Sequence, residues 1–298
     1  IMSMTKPITS TAIMILAEDG KIDLDTPAKV YAPMYNDMQV IDKVDLDNKT
    51  YTTAAPKTDF TVRQLLNHTA GFGYSFCNDV LFRLQPESND AHFPLSHQPG
   101  EKWAYGMSTR VLGEIVCQVT GMSLGDALTE LIFEPLRMKN TTFEISAESA
   151  VPYTKVEDLW QPIKKYPKME VGDGGLLSTA RDYAIFLQCL LNEGSPLLST
   201  KTFNAMISNQ IGDLFVTQQP AANSAMTYPF PSGDGVDKFG LGFQLHMNPE
   251  PGMRSPGSYS WCGLLNTYFW GDPVKKIGGI VLMQSLPLYS PICLSVFQ

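Results

Sequence analysis

The sequence is poor in charge and lacks the basic clusters of a nucleic-acid-binding protein. Asp, Glu, Lys and Arg make up 17% of its 298 residues, and the net charge is −8. A surface that binds phosphates needs clustered lysine and arginine. The longest basic runs here are the pairs Lys164-Lys165 and Lys275-Lys276. We therefore expect no nucleic acid among the partners.

Long apolar runs and metal-binding patterns are also absent from the sequence. No run approaches the roughly 18 apolar residues of a transmembrane helix, and Ile277–Met283 has only the length of a strand. The five cysteines are an odd number without a C-x-x-C pair, and the four histidines form no H-E-x-x-H pattern. We predict no membrane span, no metal and no cofactor.

The cysteine pattern bears on the compartment. Unpaired cysteines are typical of a reducing environment, which favours the cytoplasm. Because the chain begins at Ile1 and not at a methionine, a leader sequence is not visible, and a periplasmic or secreted location stays open. The sequence does not indicate the oligomeric state.

The sequence does contain enough apolar material for a large core, since 44% of its residues are hydrophobic. Apolar residues at helical spacing, with capping residues before them and glycines after them, predict helices in the first two thirds of the chain. The predicted helices are Ser3–Asp19, Thr61–Asn67, Ser108–Thr120, one that starts at Ser123, and Thr179–Leu191.

The last third is rich in aromatic and β-branched residues. It predicts three antiparallel strands, Phe239–Met247, Tyr259–Gly271 and Lys276–Gln284. Helices followed by strands favour an α+β fold over a doubly wound parallel sheet. We expect a mainly helical region over residues 1–225 and an antiparallel sheet region over residues 226–298.

The motif Ser3-Met-Thr-Lys6 is one candidate for a nucleophilic site. Residues three apart on a helix share a face, so the lysine nitrogen can reach the serine hydroxyl. A partly buried lysine with a lowered pKa can take the serine proton. The alternative interpretation of this motif is a helix-capping serine followed by a solvated lysine.

A second serine motif, Gly121-Met-Ser123-Leu-Gly125, matches the G-x-S-x-G pattern of a nucleophile elbow. That elbow needs a strand before the serine and a helix after it, but here helices are predicted on both sides. His246, on a predicted strand, would be the only histidine after the serine to act as base. Ser123 is better explained as the N-cap of the second helix.

Two later segments contain further candidates. Tyr105 follows a turn just ahead of a predicted helix, and a tyrosinate near a cationic lysine is a plausible second base. The segment Trp261-Cys-Gly263-Leu264 lies in a predicted strand, where a glycine allows a close approach to the backbone. Converging backbone N–H groups at such a place can form an oxyanion hole.

Together these motifs resemble the serine β-lactamase and penicillin-binding protein superfamily, and most closely its class C-like branch and the family VIII carboxylesterases. Further segments that resemble the family are Gly20-Lys-Ile-Asp-Leu-Asp25, Leu65-Leu-Asn-His-Thr-Ala-Gly71, Pro135-Leu-Arg-Met138, Gly174-Gly-Leu-Leu-Ser-Thr-Ala-Arg-Asp182 and Thr267-Tyr-Phe-Trp-Gly-Asp-Pro273. The resemblance implies a β-lactamase/transpeptidase-like α+β fold, an antiparallel sheet packed by helices.

The resemblance also implies roles. Ser3 would be the nucleophile that forms an acyl-enzyme, and Lys6 and Tyr105 would share the acid and base work. The backbone N–H groups of Ser3 and Leu264 would form the oxyanion hole, with Gly263 beside them. No metal or cofactor takes part.

Two departures from the β-lactamase motifs, at Met107 and Trp261, which the resemblance implies bind the substrate, indicate the substrate class. The Tyr-x-Asn motif has Met107 in the asparagine position, and the Lys-Thr-Gly motif is replaced by Trp261-Cys262-Gly263. Contacts to a β-lactam carboxylate are therefore lost, which resembles the esterase branch. We expect a serine hydrolase of short-chain esters. A β-lactamase or DD-peptidase, an acyltransferase to another acceptor, and a silent ligand-binding member are the alternatives.

Family members carry additional strands before the S-x-x-K serine and a C-terminal helix. This chain begins two residues before Ser3 and ends soon after the last predicted strand. We therefore expect the sheet to be truncated at both ends, with an exposed edge.

Overall fold

The structure is a computed structural model that describes residues 1–84, 90–157, 159–163, 168–229, 233–248 and 252–297. A 3₁₀ turn, Met2–Met4, comes directly before the first helix. The α-helices there are α1 (Thr5–Glu18), α2 (Val62–Leu66), α3 (Asp79–Leu84), α4 (Ser108–Thr120), α5 (Leu124–Leu128), α6 (Glu134–Leu136), α7 (Ala180–Leu191), α8 (Thr200–Met206) and α9 (Pro291–Phe297). The strands are β1 (Val40–Asp45), β2 (Thr50–Ala54), β3 (Tyr153–Val156), β4 (Leu159–Pro162), β5 (Lys238–Phe239), β6 (Gln244–His246), β7 (Ser258–Gly263), β8 (Thr267–Asp272), β9 (Ile277–Leu282) and β10 (Ser285–Leu286).

The main sheet is a meander of five strands in the order β5-β6-β7-β8-β9. Each neighbouring pair is antiparallel, which confirms the predicted meander and the α+β class. The prediction of three strands is wrong. Phe239–Met247 covers β6 and the last residue of β5, and Tyr259–Gly271 covers most of β7 and of β8.

The turn between β7 and β8 contains no glycine or proline, so it lacks the sequence signal of a hairpin. It consists of Leu264, Leu265 and Asn266, and Asn266 adopts the left-handed conformation with φ 57°. The buried side-chain amide of Asn266 donates hydrogen bonds to the carbonyl oxygens of Ser285 and Pro287, each 2.8 Å away. Contacts distant in sequence therefore stabilise this turn.

Two small hairpins lie in the region that was expected to be mainly helical. Strand β1 pairs with β2, and β3 pairs with β4, both antiparallel, while β10 adds to β3 in parallel. Nearly all residues of β1 to β4 are exposed, so the alternation that predicts a half-buried strand is missing. The order of helices first and strands last is therefore wrong outside the main sheet.

Helix α1 is buried on nearly every side. All residues from Thr5 to Met14 are buried, and so is Leu16, whereas the sequence predicts a single apolar face. Helices α4 and α5 both contact it, and a helix enclosed in this way is a core helix. Some of its polar side chains bond to the surrounding backbone, as when the Thr9 hydroxyl donates to the carbonyl oxygen of Gly172 at 2.8 Å.

One apolar cluster contains residues from both predicted regions, among them Ile8 of α1, Tyr183 of α7 and Phe269 of β8. The rings of Tyr183 and Phe269 lie 5.2 Å apart. Helices and sheet thus pack on a shared core. The boundary at residue 225 stays a prediction.

The end of α4 and the start of α5 follow the capping signals of the sequence, whereas α1 begins at Thr5, two residues after the predicted Ser3, and has no side-chain cap. Helix α4 has the predicted bounds and ends at Gly121, which adopts the left-handed conformation at φ 72°. Ser123 caps α5, because its side-chain oxygen accepts a hydrogen bond from the N–H of Asp126 at 3.1 Å. The G-x-S-x-G motif therefore lies between two helices and has no elbow geometry.

The described residues contain neither a candidate membrane span nor a candidate metal-binding cluster. None of the helices there is long and apolar enough to cross a bilayer, and no group of three His, Cys, Asp or Glu side chains could hold a metal ion. All five cysteines have free thiols.

Candidate active site

Three residues predicted from the sequence form one hydrogen-bonded cluster. Ser3 lies in the 3₁₀ turn, and Lys6 lies in the first turn of α1. The distance from Lys6 Nζ to Ser3 Oγ is 3.1 Å, and the Tyr105 hydroxyl donates to Ser3 Oγ at 2.7 Å. The spacing of three residues brings the lysine to the serine, and the loop before α4 brings the tyrosine to both.

The ring of Tyr105 is held by close packing of its loop. A Cβ atom on Gly106 would lie 2.1 Å from the carbonyl oxygen of Phe72, so this approach requires glycine. The Tyr105 ring packs edge-on against His68 at 5.3 Å and Trp261 at 5.0 Å. The loop and the aromatic neighbours together fix where the hydroxyl points.

The Lys6 nitrogen is surrounded by oxygen atoms in a buried pocket. The side chain is 1% exposed, and Nζ contacts the Tyr74 hydroxyl at 3.0 Å and the carbonyl oxygen of Asp173 at 2.7 Å, in addition to Ser3 Oγ. Burial lowers the pKa of Lys6 from 10.5 to about 8, against the opposing effect of the Asp173 charge. A sizeable fraction of this lysine is therefore neutral near pH 8 and can accept a proton.

Tyr74, Asp173 and Arg110 complete this network, although none of the three is predicted as a site residue from the sequence. The Tyr74 hydroxyl donates a short hydrogen bond to Asp173 Oδ2, and Arg110 Nε donates to Asp173 Oδ1 at 3.1 Å. Tyr74 lies just beyond Gly71, and Asp173 directly precedes Gly174. Both adjoin segments that resemble the family, which is the one signal that pointed to them.

Two glycines bring Asp173 to Arg110. A Cβ atom on Gly113 of α4 would lie 2.9 Å from the Cα atom of Gly172, so the loop at Asp173 can approach the helix only because both residues are glycine. Arg110 lies one turn before Gly113 on the same helix. Its guanidinium therefore meets the Asp173 carboxylate, which is 2% exposed.

The strand segment Trp261 to Leu264 lies beside the turn that carries Ser3. A Cβ atom on Gly263 would lie 2.3 Å from the carbonyl oxygen of Ile1, so the glycine is needed for contact between β7 and this turn. The Thr267 hydroxyl donates to the same carbonyl oxygen at 3.0 Å. Leu264 follows Gly263 directly, which brings its backbone next to the Ser3 turn.

Trp261 and Met107 are both buried, at 4% and 5% exposure. The Trp261 indole stacks on His68 at 6.3 Å, next to the Tyr105 ring. Met107 packs with Tyr74 in a small apolar cluster. Both side chains therefore adjoin the two tyrosines of the site.

Burial raises the pKa of Tyr74 and of Tyr105 well above the usual value, so both are neutral phenols, and Tyr105 is not the tyrosinate that the sequence predicts. A neutral phenol donates its proton in a hydrogen bond. The cluster thus combines a hydroxyl nucleophile, an amine with a lowered pKa and a phenol donor, which is the equipment for acyl transfer through a covalent intermediate.

The fold and this cluster define a serine hydrolase or acyltransferase with the β-lactamase fold. The chain belongs to the Beta-lactamase family, whose family model matches residues 1–291. The resemblance seen in the sequence is thereby confirmed.

Similar proteins include enzymes of both reaction types. The acyltransferase calJ of Penicillium decumbens is 27% identical over 98% of this chain and 76% of its own length. The lovastatin esterase of Penicillium rubens is 25% identical over 95% of this chain and 78% of its own length. The unliganded simvastatin synthase LovD of Aspergillus terreus superposes with a TM-score of 0.85 at 22% identity, covering 100% of this chain and 81% of that chain.

Proposed function

We propose that this protein hydrolyses short-chain carboxylic esters through an acyl-enzyme on Ser3. The observation that carries the proposal is the contact of Ser3 Oγ with Lys6 Nζ at 3.1 Å and with the Tyr105 hydroxyl at 2.7 Å. A serine hydroxyl beside an amine whose pKa burial lowers to about 8 is an activated nucleophile.

In the acylation step, Ser3 Oγ attacks the carbonyl carbon of the ester, and the serine proton passes to the neutral amine of Lys6. The backbone N–H groups of Ser3 and Leu264 stabilise the negative charge on the carbonyl oxygen. The ester C–O bond then breaks, and the alcohol leaves with the proton held by Lys6, relayed through Tyr105.

In the deacylation step, water attacks the acyl-enzyme. Tyr105 and Lys6 take up the proton of this water, the carboxylic acid departs, and the proton returns to Ser3 Oγ. In each step the same two groups act first as base and then as acid. The cycle uses no cofactor.

The neighbours of the cluster favour esters over β-lactams. Met107 stands where a β-lactamase has asparagine, and Trp261 and Cys262 stand where it has lysine and threonine. Both Met107 and Trp261 are buried among apolar and aromatic groups. A substrate carboxylate would find no cationic or hydroxyl partner from these positions.

A second candidate is transfer of the acyl group to an alcohol instead of water. The name of the relative calJ, an acyltransferase, favours it. Both reactions share the acyl-enzyme and differ only in the acceptor. A family member that only binds ligands would not need an amine with a lowered pKa beside a serine hydroxyl, so this alternative explains the site less well.

The nucleophile is tested by intact mass after incubation with a fluorophosphonate probe. We expect one adduct on the wild type and on Ser123→Ala, and none on Ser3→Ala. Loss of the adduct in Ser123→Ala alone would overturn the assignment, since Ser123 is the matched control from the other serine motif.

The substrate class is tested by turnover of p-nitrophenyl butyrate and of a cephalosporin. We expect the ester to be turned over and the cephalosporin to be turned over weakly or not at all, and the opposite result would contradict the proposal. Adding a small alcohol to the ester reaction separates the two acceptors, because an acyltransferase forms the new ester in preference to the acid.

A further inference from the structure

The distances around Lys6 Nζ do not show which atom donates the proton in each hydrogen bond, but the chemistry of its neighbours does. A neutral amine has two N–H donors and one lone pair, and Lys6 Nζ has three oxygen neighbours. These are Ser3 Oγ at 3.1 Å, the Tyr74 hydroxyl at 3.0 Å and the Asp173 carbonyl oxygen at 2.7 Å. To act as a base, Lys6 must aim its lone pair at Ser3.

Two of the three neighbours can be assigned by elimination. The Asp173 carbonyl oxygen has no proton, so it takes one N–H of the amine. The Tyr74 hydroxyl has one proton, and that proton is already donated to Asp173 Oδ2. Tyr74 can therefore only accept from Lys6, and it takes the second N–H.

The carboxylate of Asp173 keeps this direction fixed. Its Oδ1 atom accepts from Arg110 Nε at 3.1 Å, and the ion pair holds it as an acceptor on both oxygens. The carboxylate, Tyr74 and Lys6 are all buried. A buried phenol surrounded by an acceptor on one side and an amine on the other does not reverse without breaking the hydrogen bond to a charged group.

We propose that Tyr74 and Asp173 are positioning residues that orient neutral Lys6 so that its lone pair faces the Ser3 hydroxyl. This inference rests on the proposed function. The Tyr105 hydroxyl completes the arrangement from the other side, because it donates to Ser3 Oγ at 2.7 Å and leaves the serine proton to point at Lys6. When Oγ attacks, the O–H bond of Ser3 breaks, its proton joins Nζ, and the lysine becomes an ammonium with three donors for its three acceptors.

Other titratable groups surround the lysine, and their charges can change the pKa of Lys6. They are Tyr105, Arg110, Asp173, Cys77, Cys262 and His68. Of these, the Asp173 charge raises the pKa of Lys6 and the Arg110 charge lowers it. A charge effect and an orientation effect of Asp173 therefore predict different results when the charge is removed.

The first variant is Tyr74→Phe, which keeps the ring and removes the hydroxyl. We expect the rate of fluorophosphonate labelling and kcat/KM for p-nitrophenyl butyrate to fall by about 10- to 100-fold, because the lone pair is no longer directed. The melting temperature is recorded for each variant. Phe76→Leu is the packing control, since the Phe76 ring stacks on the Tyr74 ring at 5.1 Å, and it should label at the wild-type rate.

The deciding variant is Asp173→Asn, which preserves shape. Arg110 Nε requires the amide oxygen, so the amide NH₂ faces Tyr74 and donates to it. The Tyr74 proton then turns to Lys6 and occupies the lone pair. We expect labelling to fall at least about tenfold at every pH from about 6 to about 9.

A pure charge effect has the opposite sign. Removing the Asp173 charge would lower the pKa of Lys6, and labelling below pH 8 would become faster. Two results would overturn this inference and leave the proposed function intact, provided that the wild type is labelled on Ser3. One is faster labelling of Asp173→Asn, and the other is labelling of both Tyr74→Phe and Asp173→Asn at the wild-type rate. A wild type that is not labelled on Ser3 would instead overturn the proposed function.

Discussion

The two candidate bases at Ser3 are supported in contrasting ways. Lys6 is held by hydrogen bonds to the polar group formed by Tyr74, Asp173 and Arg110. Tyr105 is held by the aromatic group formed by His68, Trp103, Phe239 and Trp261, whose rings pack against one another mostly edge to face.

The difference follows from the two side chains. A lysine amine rotates about its last bond, so packing cannot direct its lone pair and hydrogen bonds must. A phenol hydroxyl lies in the plane of a rigid ring, so packing of the ring directs it. The single titratable member of the aromatic group, His68, stays neutral because burial lowers its pKa to about 3. One base is therefore positioned by polar contacts and the other by apolar ones.

The largest effect is expected from the polar side. Lys6→Met keeps the length of the side chain but removes the amine that takes the serine proton. We expect kcat/KM for p-nitrophenyl butyrate to fall by about 10³-fold or more. Steady-state kinetics and intact mass after probe labelling check this together, and Lys29→Met at the surface is the matched control. Retained labelling in Lys6→Met would show that another group is the base.

Removing the hydroxyl on the aromatic side should cost less. Tyr105→Phe keeps the packing with His68 and Trp261 and removes only the donor to Ser3 Oγ. We expect kcat to fall by about 10²-fold, with almost no change in melting temperature because the ring stays in place. Tyr31→Phe, which loses a hydroxyl that accepts from the N–H of Asp23 at 2.8 Å, is the control for losing a phenol hydroxyl elsewhere. If the melting temperature of Tyr105→Phe fell as far as that of Tyr31→Phe, the hydroxyl and not the packing of the ring would hold Tyr105 in place, which would contradict the prediction.

The pH dependence tests whether the base is Lys6. Its pKa is lowered to about 8 by burial, so below pH 8 the ammonium form dominates and cannot accept the serine proton. We expect the labelling rate to fall about tenfold for each pH unit below about 8 and to level off above it. The rate measured from about pH 6 to about pH 10, with Ser3→Ala as the blank, checks this. A flat profile would exclude a titrating lysine.

The smallest effect is expected from the aromatic group itself. Trp261→Phe trims one ring while the other rings still support Tyr105. We expect kcat to fall by about 2- to 5-fold and stability by about 1–2 kcal/mol from lost packing. Phe186→Leu, a core ring against Tyr183, should lose similar stability but no kcat, as followed by thermal unfolding and kinetics. A 100-fold loss of kcat in Trp261→Phe would contradict the prediction that the other rings still support Tyr105.

Local sequence signals predicted the half of the site that is close in sequence. The spacing of Ser3 and Lys6 predicts their contact because one helical turn joins them, and α4 ends at Gly121 as its glycine cap predicts. Tyr74 and Asp173 could not be predicted in this way. They are joined to each other by a hydrogen bond that spans 99 residues, and no local pattern encodes it.

The same distinction applies to the fold. The hairpin at Asn266 depends on bonds to Ser285 and Pro287, so its turn has no local signature. The exposed strands β1 to β4 lack the alternation that core contact imposes. Sequence patterns predict an element where its residues face the core, and they do not predict one that depends on contacts with residues distant in sequence.

The contact between Gly263, Thr267 and the Ile1 carbonyl oxygen has a consequence for the folding reaction. It closes a loop of 266 residues, and closing long loops slows folding because chain entropy is lost before contacts form. The turn that carries Ser3 is therefore completed only when the sheet at the far end of the sequence is in place. During refolding, probe labelling should return with the slowest phase that restores the native sheet, so a reactive serine reports that the chain has folded from end to end.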